Sequence, residues 1–310
     1  MKDVMKIATV NFKAEWGEKD KNLNRILGYI EQAALDNCNL VVFPEMALTG
    51  YDDEENKKKP EKMQTLQAET IPGPSSDKVA ELTKKYGIYV AFGMPERDSA
   101  DASTIYNSAC VCGPEGVIGG YRKIHLPYPE MHWATRGEKP FIFDTPWGPV
   151  GLAICYDSYC FPELGRYYAA KGCRVYINCT AYARCHGDML ARATMEAYAG
   201  INKNFIVSSN LVGIDLYNDF WGGSSIIGPG IGWNVSKSDI QYYAGHPFGT
   251  PESVEHGMYT AVCDLGLATR SVFEPNKLIN GATDYRPLIY KELLEDLLKD
   301  PKFHKTEFGE

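Results

Sequence analysis

Val150-Gly151-Leu152-Ala153-Ile154-Cys155-Tyr156-Asp157 is an apolar run that ends in a thiol and then turns polar. Val150 to Ile154 has the make-up of a short buried strand, and Glu163 to Lys171 carries a helical pattern after it. A thiol at a strand-to-helix junction is held rigid yet reachable, as a nucleophile must be. Two other extended segments end on complementary chemistry. Leu40-Val41-Val42-Phe43-Pro44-Glu45 sets a carboxylate just past an apolar run, and Tyr121-Arg122-Lys123-Ile124-His125-Leu126-Pro127 sets an amine in a strand-like context.

Outward from these segments, strands alternate with helices. Ile7 to Phe12 reads as a first strand, and Leu23, Ile26, Leu27, Ile30 and Ala34 recur at helical spacing before the run at Leu40. Thr70 to Ser75 is a loop into a helix over Asp77–Tyr86; Gly87 terminates it, and Ile88 to Phe92 is the next strand. Ile105 to Arg122 reads as two antiparallel strands joined by Gly113-Pro114-Glu115-Gly116. Residues 124–148, rich in Pro, Gly and aromatics, have little periodicity and read as a long loop. Past Cys155 come a strand over Arg174–Cys179, a helix over Asp188–Ala199, a strand over Phe205–Ser209, Gly-rich hairpins over 222–234, a strand over Met258–Leu265 and a helix over Lys291–Leu298. The expectation is an α/β chain forming one domain over 1–310, with two similar halves and a C-terminal extension over about 266–310.

Composition narrows the function. With 310 residues, 44% of them hydrophobic and 23% charged, the chain can bury a large core. A net charge of −8 argues against nucleic acid as a partner, because Lys57-Lys58-Lys59 lies beside Asp52, Asp53, Glu54 and Glu55 and reads as a solvated loop. No signal peptide and no apolar stretch of membrane-spanning length is evident, so a cytoplasmic location and no membrane partner are expected. The nine cysteines have no metal-ligand spacing and read mostly as small buried apolar side chains in a reducing compartment; Cys110 and Cys112, flanking Val111, face one side of a strand. His125, His132 and His186 lack the spacing of a metal site, and no metal or organic cofactor is expected.

The order Glu45, Lys123, Cys155 resembles the catalytic triad of the nitrilase superfamily, the carbon–nitrogen hydrolases. The matching stretches are Val42-Phe43-Pro44-Glu45 with Thr49-Gly50-Tyr51, Tyr121 to Leu126, and Gly151 to Asp157. Weaker echoes lie at Phe161-Pro162-Glu163, Asn210 to Gly213 and Gly222 to Pro229. The resemblance implies a four-layer α-β-β-α sandwich, a small-molecule substrate and pairing into homodimers or larger homo-oligomers. It also implies a second glutamate after the lysine, matched here by Glu130. In such a site Cys155 attacks the carbonyl, Lys123 favours the thiolate and donates to the oxyanion beside the N–H of Tyr156, and Glu45 moves the proton.

Asp157 fits amidase-like branches better than true nitrilases, in which a Trp-Glu pair follows the cysteine. Amides or N-carbamoyl compounds are therefore the expected substrates, with a nitrilase or a catalytically silent binding member as alternatives. Ser158 and Tyr159 stand where carbamoyl-cleaving branches place arginines, which leaves Arg184 as the candidate for holding a carboxylate. Tyr51, Tyr128, His132, Trp133, Tyr156 and Tyr182 are the candidates for shaping the acyl pocket.

Overall fold

The computed structural model describes residues 1–230 and 240–303. Contacts divide the chain into two units, with Met1–Thr269 as the first and the second starting at Arg270. In the first unit the elements run β1 (Val4–Asn11), α1 (Lys19–Leu35), β2 (Leu40–Val42), α2 (Met63–Gln67), α3 (Pro74–Tyr86), β3 (Tyr89–Arg97), β4 (Ile105–Gly113), β5 (Gly116–Arg122), β6 (Phe141–Thr145) and β7 (Gly148–Ile154). They continue with α4 (Tyr156–Cys160), α5 (Glu163–Ala170), β8 (Val175–Thr180), α6 (Met189–Asn202), β9 (Phe205–Asn210), β10 (Val212–Ile214), β11 (Asp219–Trp221), β12 (Ser225–Pro229), β13 (Ile240–Gly245) and β14 (Gly257–Asp264). The second unit holds short 3-10 turns and α7 (Pro287–Leu297).

Two six-stranded sheets form, ordered β14-β1-β2-β3-β4-β5 and β13-β12-β9-β8-β7-β6. Each has a parallel trio at its centre, β1-β2-β3 in one and β7-β8-β9 in the other, with antiparallel strands to either side. Side-chain alternation shows why they stack. Leu40 and Val42 of β2 join a core shared with Leu152, Ile154, Val175 and Ile177 of the opposite sheet, whereas Val41 and Phe43 join a second core with Leu23, Ile26 and Ile30 of α1. A strand apolar on both faces needs a layer on each side, here a sheet and a helix. Helices α1 and α3 cover the first sheet, and α5 and α6 the second, which completes an α-β-β-α arrangement.

Helix ends obey local rules. α1 buries Leu23, Ile26, Ile30 and Ala33 on one stripe, and Asn37 follows it with φ 57°. α3 ends at Gly87 with φ 68°, as its sequence predicts, but starts earlier, at Pro74, a residue suited to the first helical turn.

Three expectations need correction. The 124–148 segment is not all loop: Phe141–Thr145 forms β6, paired antiparallel with β7. A helical turn, α4, begins at Tyr156, directly after Cys155 and ahead of the predicted helix. The hairpin region 222–234 contains β12, whose partner is β13, while 231–234 lies outside the described residues. No helix among the described residues is long and apolar enough to cross a membrane.

Candidate active site

Glu45 lies in the turn that follows β2. The chain there is clamped to β3: the Phe43 N–H donates to the Ala91 carbonyl at 2.8 Å, and the Gly93 N–H to the Pro44 carbonyl at 2.9 Å. Gly93 is required at this point. A Cβ on it would stand 2.3 Å from the Met46 nitrogen and 2.5 Å from the Glu45 Cα. The close approach directs the Glu45 side chain inward, where it is fully buried. Its Oε1 accepts from Lys123 Nζ at 2.6 Å and Asn107 Nδ2 at 2.8 Å, and its Oε2 accepts from the Ala181 N–H at 2.9 Å.

Lys123 sits one residue past the end of β5. Its backbone is held on both sides, the N–H by the Asn107 carbonyl at 2.9 Å and the carbonyl by the Gly137 N–H at 2.7 Å. Edge strands commonly carry solvated lysines, but this side chain has no exposure. Its ammonium also donates to Glu130 Oε1 at 2.5 Å. Burial opposes its charge, yet the Glu130 and Glu45 carboxylates more than offset this and hold its pKa above the ordinary lysine value.

Glu130 belongs to a 3-10 turn, Tyr128–His132. Its Oε1 also accepts from the Tyr51 hydroxyl at 2.7 Å, and its Oε2 from Asn107 Nδ2 at 2.9 Å. Burial and the Glu45 charge raise its pKa, Lys123 lowers it, and the balance is about 7. Tyr51, lifted by burial and by Glu130, remains a phenol that donates. Asn107 is a site residue that sequence reasoning missed. Its amide nitrogen bridges both carboxylates, which fixes the orientation of the amide. The available signal was the polar pair Asn107-Ser108 inside a strand with apolar residues on both sides.

Cys155 marks the junction of β7 and α4 with φ 46° and ψ −102°, a backbone conformation costly for a residue with a Cβ. Its N–H bonds the Cys179 carbonyl at 2.9 Å and Asn178 Oδ1 at 3.2 Å, which ties the junction to β8. The thiol is buried at 8% exposure but lines a cavity of about 450 Å³. Burial pushes its pKa up and the Glu45 carboxylate adds to the rise; Lys123, the Thr180 hydroxyl and the Ala181 N–H pull it down less. Lys123 thus acts on the sulfur in the expected direction, favouring the thiolate, while burial and the Glu45 carboxylate favour the thiol.

Asp157, fully buried, spans from α4 to the lysine segment. It accepts from the Tyr121 hydroxyl at 2.7 Å and from the His125 N–H and Nδ1 at 2.8 Å each. Tyr121 and His125 stand two residues either side of Lys123, so this carboxylate positions the ammonium. His125 also stacks on Phe161, with ring centroids 3.6 Å apart.

Of the other predicted residues, Tyr51, Trp133, Tyr156 and Tyr182 line the cavity. Tyr128, His132 and Arg184 do not. Tyr128 is 75% exposed, His132 is half-buried 3.8 Å from Asp53, and Arg184 is paired with Asp219 at 2.7 Å and lies over Trp221. Position along a loop predicts none of these directions. The cavity also takes in Asp53 and Glu55, from the loop read as solvated, together with Tyr159, His186, Tyr217 and Asn218, none of which was a candidate pocket residue. Among the described residues, no group of three or more His, Cys, Asp or Glu could hold a metal ion.

A second carboxylate pair braces this cavity wall. Asp52 accepts from the N–H groups of Leu216, Tyr217 and Asn218, while Asp215 Oδ2 accepts from those of Tyr51 and Asp52. Burial lifts the Asp215 carboxyl to about 6, with the Asp52 charge adding to the rise.

The model of the carbon-nitrogen hydrolase family matches residues 6–231. A nitrilase of Pyrococcus abyssi is 33% identical over 228 residues, 73% of this chain and 82% of that protein. An omega-amidase of Homo sapiens is 31% identical over 223 residues, 68% of this chain and 76% of that protein. In fold, the chain is similar to Saccharomyces cerevisiae Nit3, a member of branch 10 of the nitrilase superfamily. That match has a TM-score of 0.72 at 22% identity and covers 86% of this chain and 93% of the other.

Proposed function

The chain belongs to the carbon–nitrogen hydrolase family, and from that premise we propose a thiol-dependent amidohydrolase that cleaves a small linear amide or N-carbamoyl compound through an acyl-thioester on Cys155. One observation carries the reading: a buried ammonium bonded at once to Glu45 and Glu130, its charge felt by a thiol that opens on a cavity.

The chemistry follows from the protonation states. As the sulfur attacks the substrate carbonyl, its proton passes to Glu45, and the S–C bond forms while the carbonyl π electrons move to oxygen. Lys123 spends two of its three N–H donors on Glu45 and Glu130. The third, with the Tyr156 N–H at the start of α4, serves the oxyanion. Collapse breaks the C–N bond, and Glu45 returns the proton to the departing ammonia or amine. Glu45 then deprotonates water for attack on the thioester, which regenerates the thiol and releases the acid. Glu130 touches no reacting atom in this scheme; it holds Lys123 and Tyr51 in place. The assignment needs no metal or organic cofactor, and includes a homodimer or larger homo-oligomer acting in the cytoplasm.

Cys155→Ala should reduce release of ammonia from a panel of aliphatic amides by at least about 10³-fold, with little change in the unfolding midpoint. Iodoacetamide should give an early single adduct at Cys155. Turnover surviving in Cys155→Ala would end the thioester scheme. Uniform slow labelling with no turnover would favour a silent binding protein, and ammonia from nitriles but not their matched amides would favour a nitrilase.

A further inference from the structure

Charge in the cavity is one-sided. Among the described residues no lysine or arginine lines it, whereas Asp53, Glu55 and Glu130 do. Two buried ammonium groups beside these carboxylates are already committed, Lys123 to Glu45 and Glu130, and Lys62 to Asp53 at 2.5 Å, while Lys57 outside the cavity pairs with Glu54. Four carboxylates thus face two ammonium groups. Arg184, the candidate for receiving a carboxylate, is turned onto Asp219 and the Trp221 ring. Among the described residues, His186 is the one lining side chain that gains positive charge on protonation.

Position along the cavity sharpens this. Glu130 and Cys155 are buried and form its floor, while Glu55 and Tyr217 are exposed and stand at its mouth. Tyr182 also lines the cavity, edge-on to Tyr159 at 4.7 Å. A substrate carboxylate would meet Glu55 with no cation to receive it and would pay for its desolvation. An ammonium group there would find a carboxylate and aromatic faces together, the combination that favours organic cations.

We propose that the substrate is a small amide or carbamoyl compound carrying an ammonium group at the end remote from the reacting carbon, and that Glu55 is the residue that selects it. This rests on the amidohydrolase assignment for the identity of the reacting end. Aromatic walls receive the methylene stem, and the negative mouth raises the local concentration of the cation.

Three amides on the same four-methylene chain test it: 5-aminopentanamide, hexanamide and adipamate, ending in ammonium, methyl and carboxylate. The value of kcat/KM should be higher for the ammonium compound than for the methyl compound by at least about tenfold, and higher than for the carboxylate compound by at least about 100-fold. Glu55→Gln should narrow the ammonium-to-methyl ratio, Glu55→Lys should narrow it further, and added salt should narrow it in the parent protein. Equal rates for the three, or a preference for adipamate, would overturn the inference while leaving the amidohydrolase standing. Should no amide turn over, the amidohydrolase assignment fails, and charge selection is read at the thiol instead. The cationic 2-aminoethyl and anionic 2-sulfonatoethyl methanethiosulfonates would be compared at Cys155 by peptide mass, each normalised to its rate with glutathione. Faster cation labelling, diminished in Glu55→Gln, keeps the negative mouth; equal normalised rates remove it.

Discussion

The two sheets contribute unlike chemistry to one place. The first supplies the charges, Glu45 after β2, Lys123 after β5 and Glu130 from the loop beyond, with the neutral amide of Asn107 in β4 between the carboxylates. The second supplies the thiol after β7 and the Ala181 N–H after β8. On the charge side geometry is set by ion pairs between side chains. On the thiol side it is set by backbone, through a positive φ at Cys155 and its bonds to β8. A charge cluster fails when one charge is lost, whereas the thiol junction depends on backbone bonds and on one neighbouring side chain, Asn178.

Breaking the charge side at its centre should have the largest effect. Lys123→Met leaves Glu45 and Glu130 buried without their cation. Acylation should be lost and stability should fall by about 3–5 kcal/mol, measured by burst kinetics and urea unfolding. Near-normal stability would mean that the two carboxylates share a proton as readily as they share the lysine.

A gentler cut is Glu130→Gln. Every partner of Glu130 is a donor, so the new amide NH₂ must oppose one of them. We expect kcat/KM to drop by about 10–100-fold, with any inflection near pH 7 removed from the profile, while Cys155 labels as before. An unaltered pH profile would remove Glu130 as its source.

The next test leaves every polar group of the site in place. Gly93→Ala pushes a methyl against Met46 and Glu45, and should displace the carboxylate at a cost of about 1–3 kcal/mol in stability and a loss in kcat larger than that in KM. Unchanged kinetics would show that the turn yields without moving Glu45.

The smallest effect concerns the brace behind the cavity. In the folded state Asp215 keeps its proton up to about pH 6, whereas an ordinary aspartate, at 3.8, has released it. Its folded pKa is raised, so the stability it contributes is present at low pH and lost as pH climbs through that window. Asp215→Asn keeps an oxygen for the Tyr51 and Asp52 N–H groups without the buried charge. Its advantage in thermal unfolding should be near zero at pH 4 and on the order of 2 kcal/mol above pH 7. An advantage independent of pH would assign the effect to something other than the charge.

The sites most legible in the sequence are those where a strand ends on a functional group. Glu45 and Cys155 each follow an apolar run and Lys123 follows an extended segment, and patterns of that kind are visible in one dimension. Asn107 is not, because a polar residue inside a strand looks alike whether it meets water or two carboxylates. The Asp52–Asp215 brace is equally hidden, joining residues 163 apart. β6 escaped notice because its aromatics lie among prolines and glycines, and α4 is too short to show a helical period. Arg184 shows the limit from the other side: the sequence places it on the loop after β8, and only the Asp219 contact shows where the guanidinium points.

Ala181 takes part through its main chain alone. Its N–H reaches Glu45 while its methyl forms part of the cavity wall. Any residue but proline can make that bond, yet Ala181 is buried in the core that includes Leu211 and Phe220, so its small size is set by packing as well. A small side chain at 181 therefore serves the cavity wall and the core at once. Loss of the donor itself, by contrast, would require a proline at that position.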